Sequence, residues 1–174
     1  FSYMKKNTWL WMAVAAIIIV LIISSARNAK DDTVRIGVLS SLTGNAAYYG
    51  QSNMKGTEVG LIAAKEKFPN LKMELFHQDN LFTPKGGVDG YNALRSQHNV
   101  DAINVQASNV AVAIQPLVMK DGILLIAASV LANGYSTPHD LSFRLTPKGD
   151  LEAAPALEYM KGKGYKKLAI LSLT

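Results

Sequence analysis

The chain has 174 residues, enough for one domain with a real core and short of two complete ones. Cysteine is absent, which excludes a disulfide framework and a lipid-bearing cysteine after an export signal. The formal charge is +5, but Lys5, Lys6, Arg27 and Lys30 sit near the N-terminus. From Asp31 onward 14 basic residues face 13 acidic ones, and a near-neutral body with scattered cations speaks against nucleic-acid binding.

In chain order, "MKKNTWLWMAVAAIIIVLIISSARNAK" has a basic start, an apolar run from Trp9 to Ile23, and small residues at Ser24, Ser25 and Ala26. This predicts an export signal. Ser24 and Ala26 suit cleavage, and the uncleaved run suits a slightly short membrane anchor, so both outcomes stay open. Either way Lys5 and Lys6 stay inside, and everything after Lys30 lies outside the inner membrane. The chain starts at Phe1, with a plausible start at Met4, and ends within an apolar run, so it reads as the N-terminal part of a longer protein.

Apolar runs and helical patterns then alternate. A strand is predicted over 34–40 and a helix over 51–67, with Met54, Val59, Leu61, Ile62 and Phe68 on its apolar side. A second strand lies within 69–79, after a Pro-Asn turn. Thr83 then caps a helix that has Pro84 at its first position and runs to about Gln97. "DAINVQA" is a third strand, a helix follows over 110–120, and "GILLIAA" is a fourth strand behind Gly122. This rhythm predicts an α/β fold, a doubly wound parallel sheet covered on both faces and joined by right-handed crossovers. A short strand at 143–145, a linker with Pro147 and Gly149, a helix over 150–161 and a strand over 165–174 come next, with Pro155 expected to kink the helix. The expected division is a signal or anchor over 1–30, a first domain over 31–147, and over 148–174 a crossover into a new sheet.

In an open parallel sheet, ligands bind at the carboxyl ends of the strands. Four loops meet that condition: "SLTGNAAYYG", "QDNLFT", "QASNVA" and "ASVLANGYSTP". Hydroxyls, small residues and helix-start amides dominate them, a set that accepts a carboxylate without a fixed cation. Ser108, taken alone, also reads as a plain N-cap near Val110. Asp79 is the one carboxylate well placed for catalysis, but it lacks a partner base or nucleophile and reads as a cap for loop amides. "GVLSSLTG" lacks the dinucleotide glycine spacing, and no Walker loop is present. Gly86 to Gly90 falls inside a predicted helix and reads as helix packing. His77, His98 and His139 are dispersed, which predicts no metal, and no cofactor is expected.

"IGVLSSLTGNAAYYGQSNMKGTEVGLIAA", "GILLIAAS" and "FRLTP" together resemble the type I periplasmic solute-binding proteins, in particular the branched-chain amino-acid group serving ABC transporters. The resemblance covers residues 34–174, the N-terminal lobe and the first crossover, and it implies that 31–147 is the N-terminal ligand-binding lobe and 148–174 the crossover and start of a second lobe. It implies non-enzymatic capture of a small polar ligand, such as an amino acid, between two lobes outside the cytoplasm, with a membrane permease as partner. It implies too that Tyr49 covers the ligand, Ser108 binds it, and Ser129, Val130 and Leu131 form a second binding loop, with Tyr48, Asp79 and Asn109 near the cleft. Where amino-acid binders commonly carry a small residue and then threonine, this chain has Val130 and Leu131, which predicts a more apolar or weaker specificity. A sensing domain of a membrane-anchored receptor is the alternative use of such lobes, and a hydrolase or transferase on the same sheet is a third.

Overall fold

A computed structural model of the chain describes residues 32–137 and 140–171, together with Ile17. The chain divides into two units, 1–32 and 33–174. The apolar run expected to act as signal or anchor therefore lies, apart from Ile17, outside the described residues. No helix among those described is long and apolar enough to cross a membrane.

Five strands form one parallel sheet: β1 (Val34–Ser40), β2 (Met73–Asp79), β3 (Ala102–Gln106), β4 (Leu124–Ser129) and β5 (Ser142–Arg144), in the order β2-β1-β3-β4-β5. Four helices connect and follow them: α1 (Ala47–Lys67), α2 (Pro84–Ala93), α3 (Ser108–Asp121) and α4 (Gly149–Gly162). The path runs from β1 outward to β2, then back across β1 to β3 and on to β4. Right-handed crossovers consequently put α1 on one face and α2 and α3 on the other. The reversal makes the carboxyl ends of β1 and β3 the topological switch point, where such sheets open a crevice.

The two faces are filled very differently. On the α2–α3 side, Leu39, Leu94, Ile103, Val105, Val110, Ile114, Val118 and Leu125 are fully buried and form the core. The glycines of "GGVDG" make this approach possible. A Cβ on Gly87 would meet Val110 Cγ1 at 2.6 Å, and one on Gly90 would meet Leu39 Cδ1 at 2.5 Å. The capping expectation holds as well: Thr83 accepts from the Gly86 amide, with Pro84 at the first helical position. Helix α2 continues into a π turn, Leu94–His98, and stops at Asn99, whose φ is 47°.

On the other side only Gly50 of α1 is buried. This helix touches the sheet through polar contacts, Asn53 Nδ2 donating to Ser40 Oγ (2.7 Å) and Asn104 Nδ2 to Thr57 Oγ1 (2.7 Å). A hollow of about 530 Å³ lies between them, lined among others by Ile36, Gly56, Gly60, Leu75 and Leu145. The expectation of a sheet covered on both faces is thus met on one face and only in part on the other. Val59 and Ile62, predicted on the apolar side of α1, are exposed.

One further expectation changes. Within the strand predicted over 165–174, residues 165–171 have no regular structure and are exposed, since a strand needs a neighbour to bond its backbone and the sheet ends at β5; 172–174 lie outside the described residues. Helix α4 includes Pro155 within its span, and none of its residues is buried.

Candidate functional site

The loop chemistry of the carboxyl edge starts from Asp79 and Asn80, the residues that end β2. Asp79 Oδ1 accepts from the amides of Leu42 (3.0 Å) and Leu81 (2.9 Å), and Oδ2 from the Thr43 hydroxyl (2.5 Å). Burial pushes this carboxyl up, but the Thr43 hydroxyl and the amides of Leu81, Leu42 and Thr43 outweigh it and hold the group below its ordinary value. A carboxylate so occupied fastens loops.

Asn80 is fully buried and uses its whole amide. Its Oδ1 accepts from Ser41 Oγ (2.7 Å) and the Phe82 amide (2.8 Å), and its Nδ2 donates to the carbonyls of Leu39 (3.2 Å) and Gln106 (3.3 Å). One side chain therefore ties together the ends of β1, β2 and β3. The asparagine stands in the quoted loop "QDNLFT", and apart from the Phe82 amide two residues on, its partners lie 26 to 41 residues away, out of reach of any local signal.

Tyr48 and Tyr49 are not in a loop ahead of a helix. Helix α1 begins at Ala47, so both belong to its first turn, 78% and 65% exposed, with their rings edge to face at 5.6 Å. Gly50 is the reason. A Cβ there would lie 2.0 Å from the Ser41 carbonyl oxygen, so glycine alone lets the first turn rest on the end of β1. That contact fixes the two exposed rings at the carboxyl edge.

Ser108 is the first residue of α3, and the preceding Ala107 takes a φ of 95°. Its hydroxyl does not cap its own helix. It accepts the Leu131 amide at 3.1 Å, which brings the loop after β4 against the start of α3. Having accepted, the hydroxyl still holds its proton to donate. Asn109 Nδ2 donates to the Phe82 carbonyl (2.8 Å), linking the loops after β2 and β3.

Ser129, the last residue of β4, is exposed; in the loop that follows, Leu131 is 42% exposed and the Val130 side chain is buried in the core. The loop is held from outside by Arg144, which donates to the carbonyls of Val130 (3.2 Å), Ala132 (2.9 Å) and Tyr135 and lies over the Tyr135 ring at 5.3 Å. Thr146 Oγ1 adds a bond to Val130 (3.3 Å). The motif "FRLTP" thus serves as a clamp. Its role was invisible in sequence because the carbonyls it holds are 9 to 16 residues upstream.

Tyr49, Asp79, Ser108 and Ser129 are brought to one edge, with Leu81, Phe82 and Ala107 held there at positive φ. Backbone of that kind costs of order 1–3 kcal/mol per residue and persists where side chains over-determine it, as Asp79 and Asn80 do here. His77 lies by Glu58 (3.6 Å) and His98 stacks on Phe76, both away from the edge, while His139 is outside the described residues. No cluster of three His, Asp or Glu suited to a metal occurs among the described residues.

The chain is thus an α/β protein with a doubly wound sheet whose switch-point loops carry hydroxyls, amides and exposed aromatic rings. The family model for periplasmic binding proteins matches residues 33–173, and the chain belongs to that family. Among solved structures it is similar to an ABC transporter substrate-binding protein from Sphaerobacter thermophilus, with 23% identity, a TM-score of 0.65, and coverage of 75% of this chain and 36% of that one. A solute-binding protein of an R. palustris ABC transporter in complex with 4-hydroxybenzoate gives 20% identity, a TM-score of 0.66, and coverage of 76% and 37%. The branched-chain amino-acid binder LivJ of Streptococcus pneumoniae, in complex with isoleucine, gives 22%, 0.60, and coverage of 67% and 34%. These likenesses show the fold, and the chain spans little more than a third of the proteins it resembles. Comparison with curated proteins finds no match.

Proposed function

We propose that the chain carries the N-terminal lobe of an extracytoplasmic solute-binding component of an ABC transporter, which captures a small ligand between two lobes and presents it to a membrane permease. The observation that carries this reading is the single edge on which Tyr49, Ser108 and the Leu131 loop meet, tied by the Ser108–Leu131 bond. A carboxylate is the ligand group this lobe suits: the Ser108 proton and the helix-start amides at Ser108 and Asn109 are donors, and Tyr49 supplies a ring to cover an apolar body. Solved relatives hold ligands of both kinds, an aromatic acid in one and isoleucine in another. Branched-chain amino acids and aromatic acids are therefore the first candidates. Affinity comes from closure of the lobes and not from covalent chemistry. Residues 1–30 export the lobe or anchor it, and 148–174 lead to the second lobe.

The same lobe as a sensing domain is favoured by one feature, the apolar run from Trp9 to Ile23, which suits permanent attachment to the membrane. Titration calorimetry on the full-length protein, with amino acids and small aromatic acids, tests the common core of both readings. Ser108→Ala is expected to weaken binding by about 1–3 kcal/mol, since it removes a ligand donor and leaves the Leu131 amide unpaired. Unchanged affinity in that variant would remove Ser108 from the site.

A further inference from the structure

Among the described residues three buried side-chain atoms lack a hydrogen-bond partner, His77 Nδ1, Asn104 Oδ1 and Gln106 Oε1, and of these only Gln106 ends a strand at the switch point. Gln106, the last residue of β3, is 8% exposed, and its Oε1 is shut off from solvent without a hydrogen-bond partner. Its backbone carbonyl is held by Asn80, but no hydrogen bond to its side chain occurs among the described residues. Burying an amide oxygen unpaired is costly, so a partner from outside the lobe, water or ligand, is expected to meet it.

Its position points to the ligand. Strand side chains alternate, so Gln106 shares a face with Asn104, which bonds α1 through Thr57. The β1–β3 register closes with Leu39 opposite Val105, and the β3–β4 register slips at Val105/Gln106, so Gln106 stands one residue past the last β1 pair, where β3 leaves the regular sheet. The amide is thus on the α1 side of the crevice, at the carboxyl edge, near the helix start that carries Tyr49. Only Ala107 separates it from Ser108, the start of α3, a span of at most about 7 Å.

We infer that Gln106 is a specificity residue of the cleft, and that the ligand is a hydroxy carboxylic acid whose hydroxyl lies close to its carboxylate. The inference rests on the binding-lobe reading. The carboxylate takes the Ser108 proton and the amides that open α3. The hydroxyl, which both donates and accepts, pairs with the Gln106 carboxamide, which does the same. A neutral hydroxyl suits this lobe better than an ammonium group, because the carboxylate of its edge loops, Asp79, is already occupied by Thr43, Leu42 and Leu81.

Titration calorimetry on the full-length protein tests this with matched acids: 2-hydroxy-4-methylpentanoate against 4-methylpentanoate, and 3-phenyllactate against 3-phenylpropanoate. In at least one pair the hydroxy acid is expected to bind about tenfold more tightly, and Gln106→Met to abolish the preference while leaving the deoxy acid's affinity in place. Equal affinities within both pairs, or a preference that survives Gln106→Met, overturn the assignment and leave the cleft reading standing. If none of the four acids binds, and the amino acids and aromatic acids fail as well, both fall together. Ligand-free thermal unfolding supplies a second arm. Removing an unpaired buried amide is expected to raise the midpoint of Gln106→Met, and a lowered midpoint means that the amide has a structural partner, which also overturns the assignment.

Discussion

The two faces of this sheet are built on opposite principles. On the α2–α3 face, glycines remove side chains where backbones meet and branched apolar residues close the gap, so the face is sealed. The α1 face is joined to the sheet through Gly50, Asn53 and Thr57, with a hollow under the middle of the helix. The first arrangement yields stability. The second holds α1 at its N-terminal end, which is the end that presents Tyr48 and Tyr49 to the carboxyl edge.

Substitutions should separate the faces most sharply where a side chain is wholly buried. Ile114→Ala or Leu94→Ala is expected to cost about 2–5 kcal/mol in urea unfolding, whereas Ile62→Ala should stay within about 0.5 kcal/mol. A large loss from Ile62→Ala would mean that the outer side of α1 is covered in the full-length protein.

Within α1 itself two glycines make the same contrast. Gly50→Ala drives a Cβ into the Ser41 backbone and should cost about 1–3 kcal/mol or more, because backbone has little room to yield. Gly56→Ala meets nothing within 4 Å and should stabilise by about 0.5–1 kcal/mol through helix propensity. Thermal midpoints of the pair suffice, and equal shifts would break the claim that the start of α1 packs more closely on the sheet than its middle does.

At the edge, Asn80→Ala is expected to cost about 1–3 kcal/mol by unpairing buried groups of three strand ends. Arg144→Lys keeps the charge and loses the planar fork, so its main effect should be weaker ligand binding through a looser loop after β4, with a smaller change in stability. Affinity and unfolding measured on the same variant distinguish the two.

The smallest expected effect is on the acid limb of the stability curve. Asp79 has a folded pKa below its ordinary value of 3.8, so its contribution is fully present above that value. It is lost as pH falls through the lower, folded value. Asp79→Asn should flatten stability against pH in that acid range and leave the slope near neutrality alone. An unchanged acid limb would show that the Thr43 and Leu42 contacts do not favour the charged form.

Much of this architecture was legible in the chain because its cues are short-range. The period of apolar residues placed β1 at its observed bounds, Thr83 and Pro84 marked the start of α2, and the spacing of Gly86, Gly87 and Gly90 within that helix announced close packing. The β-α rhythm itself entailed a parallel sheet, and with it the gathering of Tyr49, Ser108 and Ser129 at one edge.

Tertiary structure decided what each of those residues does. That Tyr48 and Tyr49 stand in a helix follows from Gly50 resting on Ser41, and that the Ser108 hydroxyl serves Leu131 follows from two loops 23 residues apart meeting at an edge. Asn80 became the knot of three strands, Gln106 was left without a partner, and residues 165–171 formed no strand for want of a neighbour. Hydrophobic period and capping act over a few residues and can be read along the chain. Hydrogen-bond partners, and their absence, are set by which distant segments the folded sheet places side by side.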